Sequence, residues 1–400
     1  MRKVAVSGYS IMKPSRARKD KGEEVYTTEQ YQAFALNKLL DAVGISKKNL
    51  NSMKYGIGLN RPMWPHAMIW SSEVIANLGL SPSLTFVSDH GGAAAFFSMV
   101  QGYLSIASGK LDHFILIGAD TPMMPAPMQS RFRPERTWRY EINYEMPIGM
   151  VGPLSEGAFI MRRHMNQYGT NEEQLANIAI TSRKHAMLNP NAYLRKPLTI
   201  DEYMKSPVIA SPMRVMDAVI PINGAYAIML SSEEHAKKIT DRPVYIKSFE
   251  TALNTDAEND LRDITDLKMG AATDKVLEES GASRKDVDFL QLYDDFTIIV
   301  LMQLEALGFA KPGKGGHFIE NNDISYNGVL PVNTGGGQLS GGQAGTAGGF
   351  SLFTEAIQQL RGEASGRQVK DCKMGLVTGL GGLGYNGNLL NKGVMALSNY

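Results

Sequence analysis

Tyr293, Asp294 and Asp295 place a phenol and two carboxylates within three consecutive residues. A phenol has an ordinary pKa near 10, so Tyr293 donates a proton readily and serves as a base only where neighbouring donors or dipoles lower that value. Asp295 has two readings: a general base if it is desolvated, or the cap of a helix beginning near Thr297. Asp294 reads as a structural support beside it. His90 precedes Gly91 and Gly92 at a Gly-rich helix start. There an imidazole either moves protons at neutral pH or closes a strand end with a satisfied hydrogen bond. Glycines at 91, 92, 379 and 381 let main-chain N–H groups approach a developing oxyanion, and they serve equally well as turn and packing residues. His317, within GKGGHF, falls in a surface loop. Cys372 is the only cysteine. A single thiol excludes an intramolecular disulfide framework and a cysteine-based zinc site, so no metal centre is expected, and it suits a reducing compartment.

The elements that must hold these groups repeat along the chain. Leu39 to Gly56 (LLDAVGISKKNLNSMKYG) matches Val276 to Tyr293 (VLEESGASRKDVDFLQLY) as a helix end, a glycine, a serine and a strand. Gly44 and Gly281 suit helix C-caps, and Ser46 and Ser283 suit the caps of the next turn. This alignment puts Gly56 and Tyr293 at corresponding strand ends. A second correspondence joins Gly91-Gly92-Ala93, a helix from Phe96 to Ser108 and a strand from Phe114 to Gly118 with Gly335 to Gly349, a helix from Phe350 to Arg361 and a strand from Met374 to Thr378. Alternating helices and short apolar strands predict an α/β fold, with sheets covered by helices. Thr121 to Ile222, rich in Pro, Met and Arg, reads as an insertion, and Gly224 to Leu230 (GAYAIML) returns as a strand to the first sheet. The division expected is 1–120 completed by 223–240, an inserted loop domain over 121–222, and a second half over 241–400.

A 43% hydrophobic content over 400 residues supports well-buried cores. A formal net charge of +1 leaves no strong field toward nucleic acid or an acidic membrane. No apolar run reaches transmembrane length. Residues 1–8 lead into the basic stretch Arg16 to Lys21, the reverse of a signal peptide's order, so the cytoplasm is the expected location.

The chain resembles the sterol carrier protein X type branch of the thiolases over nearly its whole length. The likeness rests on YDDFT at Tyr293 to Thr297, LPVNTGGGQLSGG at Leu330 to Gly342, EAIQQLRGEA at Glu355 to Ala364, SRKHAMLNPNAY at Ser182 to Tyr193, and the Gly-rich turn Gly379 to Gly387. The resemblance implies two βαβαβαββ halves in α-β-α-β-α layers, an inserted loop domain, and a homodimer across the first-half sheets. It also implies that three acyl-transfer groups are replaced. The nucleophilic cysteine's place falls on Gly92, the acid–base cysteine's place falls near Gly379, and the histidine of the family's G-H-P motif falls on Gln343. Gln343 keeps a donor and an acceptor but exchanges no proton at pH 7. Cys372 precedes the strand and reads as an incidental small residue.

The pattern is similar to that of thiolase-related steroid side-chain retro-aldolases, which lack the nucleophile and carry Y-D-x-F-T, with a second tyrosine at the position of Gln343. That likeness implies cleavage of a β-hydroxyacyl-CoA, coenzyme A present only as part of the substrate, no permanently bound cofactor, and assembly with a small OB-fold, zinc-ribbon subunit. Tyr293, Asp295 or His90 would take the β-hydroxyl proton, Gln343 would orient a water or carbonyl, and Gly91, Gly92, Gly379 and Gly381 would hold the enolate through backbone N–H groups. Asp294, Asn333 and Tyr385 would support them. Two alternatives stand beside it: an acyltransferase or degradative thiolase without an acyl-enzyme, and a non-catalytic thiolase-like subunit. Trp64, Trp70, Met123, Met124 and Met128 suggest an apolar cavity for the acyl chain, or else a dimer core.

Overall fold

Strands β1 (Val4–Ile11), β2 (Tyr55–Asn60), β4 (His113–Asp120) and β7 (Gly224–Ser232) are near-continuous apolar or small-residue runs, buried on both faces. Such strands require cover on both sides. The computed structural model describes residues 1–63, 69–124, 143, 146–150, 152–253, 263–383 and 389–400. Its main sheet runs β3-β2-β4-β7-β1-β8-β11-β10-β9, with β3 Leu84–Ser88, β8 Val244–Thr251, β9 Phe289–Gln291, β10 Met374–Leu383 and β11 Leu389–Ser398. The two halves meet where Ala5 and Val6 of β1 pair with Tyr245 and Val244 of β8. From that seam each half repeats one order: β1-β7-β4-β2-β3 outward on one side, β8-β11-β10-β9 on the other. The second half's fifth strand is reduced to a bridge between Val332 and Leu290. Pro331 has no N–H to extend it, and Asn333 turns away at φ +50°.

Helix α1 (Thr28–Val43) begins in a capping box between Thr27 and Gln30 and ends at Gly44, whose φ is +67°. It buries Tyr31, Leu36, Leu39 and Leu40 on the outer face of the first half, over the core that includes Ile57, Ile115 and Met229. Helix α2 (Lys47–Asn51) and helix α3 (Trp70–Asn77) complete that side, and Trp70 is part of this outer core. Helix α4 (Ala94–Ala107) touches β4, β2 and β10. It is therefore shared between the halves.

In the inserted stretch, helices α5 (Pro153–Tyr168), α6 (Glu172–Leu188) and α7 (Ile200–Lys205) precede a ribbon of β5 (Val208–Ala210) and β6 (Met213–Arg214). Beyond β7 come α8 (Glu233–Ile239), α9 (Gly270–Glu279), α10 (Thr297–Ala306), α11 (Gly315–Asn321), α12 (Gly337–Gly341) and α13 (Phe350–Arg361). Helix α13 lies with α4 in the middle layer, against β10, β1 and β7, while α9 covers β8 and β11 on the far side. The layers are thus α-β-α-β-α. Helix α6 packs against α10, α11 and α12, so the insertion rests on the second half.

One expected correspondence shifts. Gly56 is the second residue of β2, whereas Tyr293 lies two residues beyond the end of β9. Gly44 to β2 contains the five-residue helix α2 and a further turn; Gly281 to β9 contains only the single turn Arg284–Asp286. The shorter link advances β9 relative to the aligned sequences, which pushes Tyr293 past the strand and toward the start of α4 at Gly92.

Candidate active site

Tyr293 is placed by its backbone. Asn333 clamps the preceding residue, accepting from Leu292 N at Oδ1 (2.6 Å) and donating from Nδ2 to Leu292 O (2.9 Å). Tyr293 N donates to Thr378 Oγ1 (2.9 Å), and Tyr293 O accepts from Gln303 Nε2 (2.7 Å). Thr378 in turn donates to Gln303 Oε1 (2.6 Å). Gln303 and Thr378 were not among the expected site residues. The one signal for Gln303 is its amide inside the otherwise apolar run TIIVLMQL of a fully buried helix, where an unpaired polar group would be costly.

The phenol reaches Gly92. A Cβ built on Gly92 would overlap Tyr293 Oη and Cζ and come within 2.6 Å of Leu380 O. The hydroxyl of Tyr293 thus occupies the space into which a side chain at 92 would project, and only glycine fits there. Gly381 is constrained from the other side: a Cβ there would overlap His90 O and stand 2.8 Å from Ala93 N and 3.1 Å from Gly92 N. The two Gly-rich segments are pressed backbone to backbone, with the Gly92 amide at their contact.

Gln343 Nε2 donates to Tyr293 Oη (3.2 Å) and to Asp295 Oδ1, and the phenol lies within hydrogen-bonding reach of the Asp295 carboxylate. The backbone of Gln343 is pinned by the returning insertion, its N–H donating to Ile220 O (2.9 Å) and its carbonyl accepting from Ile222 N (2.9 Å). Tyr293, Asp295 and Gln343 therefore form one triangle. Burial raises the Asp295 carboxyl to about 7, against the opposing hydrogen bonds from Tyr293 and Gln343. Burial and the nearby Asp295 charge push the Tyr293 phenol well above its ordinary value. The pair combines a carboxylate that ionises near neutrality with a phenol that keeps its proton. Asp295 does not cap α10. Phe296 holds the N-cap position, and no side chain caps it.

Asp294 faces elsewhere. It is fully buried and accepts from Gln338 N (2.8 Å) and Leu339 N (3.2 Å) at the start of α12, while burial raises its carboxyl to about 7. The His90 ring stacks on Phe97 at 4.0 Å, pairs Nδ1 with Ser88 Oγ (3.0 Å), and is held below its ordinary pKa by burial. Gly379 lies in the β10–β11 ladder, where a Cβ on it would meet the Phe96 side chain. Cys372 is buried with its thiol on Gln359 O (3.2 Å), and burial pushes it up to about 11. It stands before β10, at the opposite end from Gly381. His317 is exposed, as expected, but stands on helix α11 and not in a loop, and it pairs with Glu320. Met123 is half-buried and tied through its N–H to Asn223 Oδ1 (2.8 Å), and Met124 is half-buried beside it. Tyr385, Trp64 and Met128 lie outside the described residues.

Residues 251–389 match the thiolase C-terminal domain-like family. The chain is 31% identical over 388 residues to an acetyl-CoA acetyltransferase of Methanothermobacter thermautotrophicus, covering 96% of this chain and 97% of the relative. The chain belongs to the thiolase superfamily. It is also 32% identical over 291 residues to the 17-hydroxy-3-oxo-4-pregnene-20-carboxyl-CoA lyase of Mycobacterium tuberculosis, covering 70% of this chain and 75% of the lyase. Among solved structures it overlays the Ltp2-ChsH2(DUF35) aldolase with a TM-score of 0.84 at 23% identity, over 99% of this chain and 98% of the other, which establishes the shared fold. The expected thiolase architecture is therefore borne out. This is a superfamily of enzymes, and the two relatives named above, among others, are an acetyltransferase and a lyase named for CoA thioesters. Among the described residues, no helix is long and apolar enough to cross a membrane.

Proposed function

We propose that this chain cleaves β-hydroxyacyl-CoA thioesters by a retro-aldol reaction at Tyr293, Asp295 and Gln343. The observation that carries this reading is the overlap at Gly92: a proton-transfer group fills the space that a side-chain nucleophile at 92 would need. In the reaction, Tyr293 Oη accepts the β-hydroxyl proton while passing its own proton to Asp295. The Cα–Cβ bond breaks, its electron pair moves onto the thioester carbonyl as an enolate, and a ketone or aldehyde leaves. The proton held on Asp295 then returns through Tyr293 to Cα, which yields the shortened acyl-CoA and restores the carboxylate. A carboxylate with a pKa of about 7 is matched to this task at neutral pH. Gln343 orients both partners through one amide nitrogen. Backbone N–H groups of Gly91, Gly92 and Gly381 serve the enolate; Asn333 and Asp294 hold the frame, and His90 and Gly379 act through packing.

The M. tuberculosis lyase, named for a carboxyl-CoA, supports the substrate class, with coenzyme A carried by the substrate; that no cofactor is permanently bound is part of the proposal. Acyl transfer without an acyl-enzyme is the second reading, favoured by the likeness to the acetyltransferase. A small OB-fold, zinc-ribbon subunit is proposed as a partner, supported by the DUF35 protein named with the Ltp2 aldolase. A homodimer is proposed across β3, which ends the sheet with one edge unpaired by the described residues. We take the halves as 1–120 with 223–240 and 241–400, the insertion as 121–222, and the cytoplasm as the location, with neither nucleic acid nor membrane as partner. The test incubates the protein with β-hydroxyacyl-CoA and, separately, with β-ketoacyl-CoA plus free CoA. A shortened acyl-CoA from the first without free CoA is expected; product only from the second would support the thiolytic reading instead.

A further inference from the structure

The segment Ser182–Tyr193 spans the last turns of α6 and the chain beyond, and its polar groups converge on one target. Ser182 Oγ donates to Gly336 O (2.6 Å), His185 Nδ1 to Asn333 O (3.0 Å) and Asn189 Nδ2 to Gly335 O (2.8 Å). Tyr193 N donates to Gly341 O (3.0 Å) and Leu194 N to Ser340 O (2.9 Å). The insertion thereby takes up carbonyls along 333–341, the stretch that clamps Leu292 and offers its N–H groups to Asp294. Its hydrogen bonds end on 333–341 and not on the phenol itself.

Of these contacts, the one from His185 bears on Tyr293 most directly. Asn333 is held at φ +50°, a conformation that asparagine tolerates but that neighbouring contacts must sustain. Its carbonyl accepts from Gly336 N (2.9 Å) within its own turn and from His185 across the interface with the insertion, its N–H donates to Leu290 O (2.9 Å), and its side chain engages both polar groups of Leu292, so His185 is the contact from outside the segment that holds the turn. His185 is fully buried, donates from Nδ1, and accepts Tyr326 N–H at Nε2 (2.9 Å). Both nitrogens are thus engaged, with the proton on Nδ1, so the ring acts by geometry and not by proton exchange.

We propose that His185 is a positioning residue for the reaction: by fixing Asn333 it sets the height of Tyr293 over Gly92, an assignment that rests on the retro-aldol reading of that site. Three substitutions separate its parts. His185→Asn keeps a donor near the Nδ1 place, His185→Gln moves the donor toward the Nε2 place, and His185→Leu removes both. The Leu and Gln variants should lose about tenfold or more in kcat with KM nearly unchanged, because small misplacements of a reacting group are costly, while the Asn variant recovers most of the rate. A second readout needs no turnover. With 3-fluorotyrosine incorporated, the fluorine resonance of Tyr293 is assigned by its loss in Tyr293→Phe. That resonance should shift in the Leu and Gln variants and return toward wild type in the Asn variant. Should the wild-type protein cleave no β-hydroxyacyl-CoA, the retro-aldol reading fails, while the resonance still decides whether His185 sets the phenol's position. If the Leu variant does not fold, the Asn and Gln pair carries the comparison. Folded variants with wild-type kcat and an unmoved resonance would overturn the proposal, as would equal rescue by Asn and Gln.

Discussion

Asp295→Asn should make the protein more stable and less active, and the two effects have one cause. In the folded chain the Asp295 carboxyl is raised from its ordinary 3.8 to about 7, mainly by burial. A group that holds its proton to higher pH when folded stabilises the fold fully below its unfolded pKa, and that contribution is lost as pH rises through the folded value. The window is therefore about pH 4 to pH 7. A rise of this size corresponds to about 4 kcal/mol, and discounting for the part of Asp295 still open to solvent leaves about 2 to 4 kcal/mol lost by pH 8. Asparagine keeps an acceptor for Gln343 and carries no charge. Urea unfolding at intervals from pH 4 to pH 8 should give similar stabilities at the acid end and a variant more stable by that margin at pH 8. Asp294 titrates in the same direction in both proteins, so its contribution largely cancels in the difference. Over the same range the wild-type cleavage rate should rise with pH through about 7, and the variant should lose about a hundredfold or more. Equal stabilities at pH 8, or a variant destabilised there, would refute the claim that Asp295 is an ionisable group buried at a cost.

Tyr293→Phe keeps the ring against Gly92 and removes the relay, so cleavage should fall at least about a hundredfold with the thermal midpoint little changed; steady-state rates and a melt check both. Gly92→Cys should restore no thiolysis and should destabilise by about 1 to 3 kcal/mol, because the new side chain meets the phenol; denaturant titration and an acyl-CoA thiolysis assay decide it. Cys372, buried and pushed up to about 11, should resist alkylation at pH 8 in the folded protein, and Cys372→Ala should leave cleavage unchanged; mass spectrometry after iodoacetamide reads the first, the lyase assay the second.

The repeat was legible because each half writes its own punctuation. Gly44 and Gly281 end helices in the left-handed conformation, and the Gly-rich starts of α4 and α13 recur at matching places. The missing nucleophile was legible too, as Gly92 in the place the resemblance assigns to cysteine. What fills that place was not, since Gly92 and Tyr293 are brought together only when α4 is packed between the two halves. For Asp295 the sequence left base and cap open. Only the structure shows Phe296 at the N-cap and Gln343 bridging the carboxylate to the phenol. Asp294 and Asp295 are neighbours of one type, yet one anchors a helix and the other faces the phenol; backbone direction after β9 makes that distinction. The slipped pairing of Gly56 with Tyr293 came from counting residues across links of unequal length.

The central claim is that this thiolase-fold site breaks a carbon–carbon bond without an acyl-enzyme. Its most direct test mixes the protein, with an OB-fold, zinc-ribbon partner supplied where its host encodes one, with a β-hydroxyacyl-CoA in the absence of free CoA, and follows both products by mass spectrometry. Equimolar ketone or aldehyde and shortened acyl-CoA, lost in Tyr293→Phe, is the predicted result. An acyl adduct on the protein, or cleavage that requires free CoA and a β-ketoacyl substrate, would contradict it.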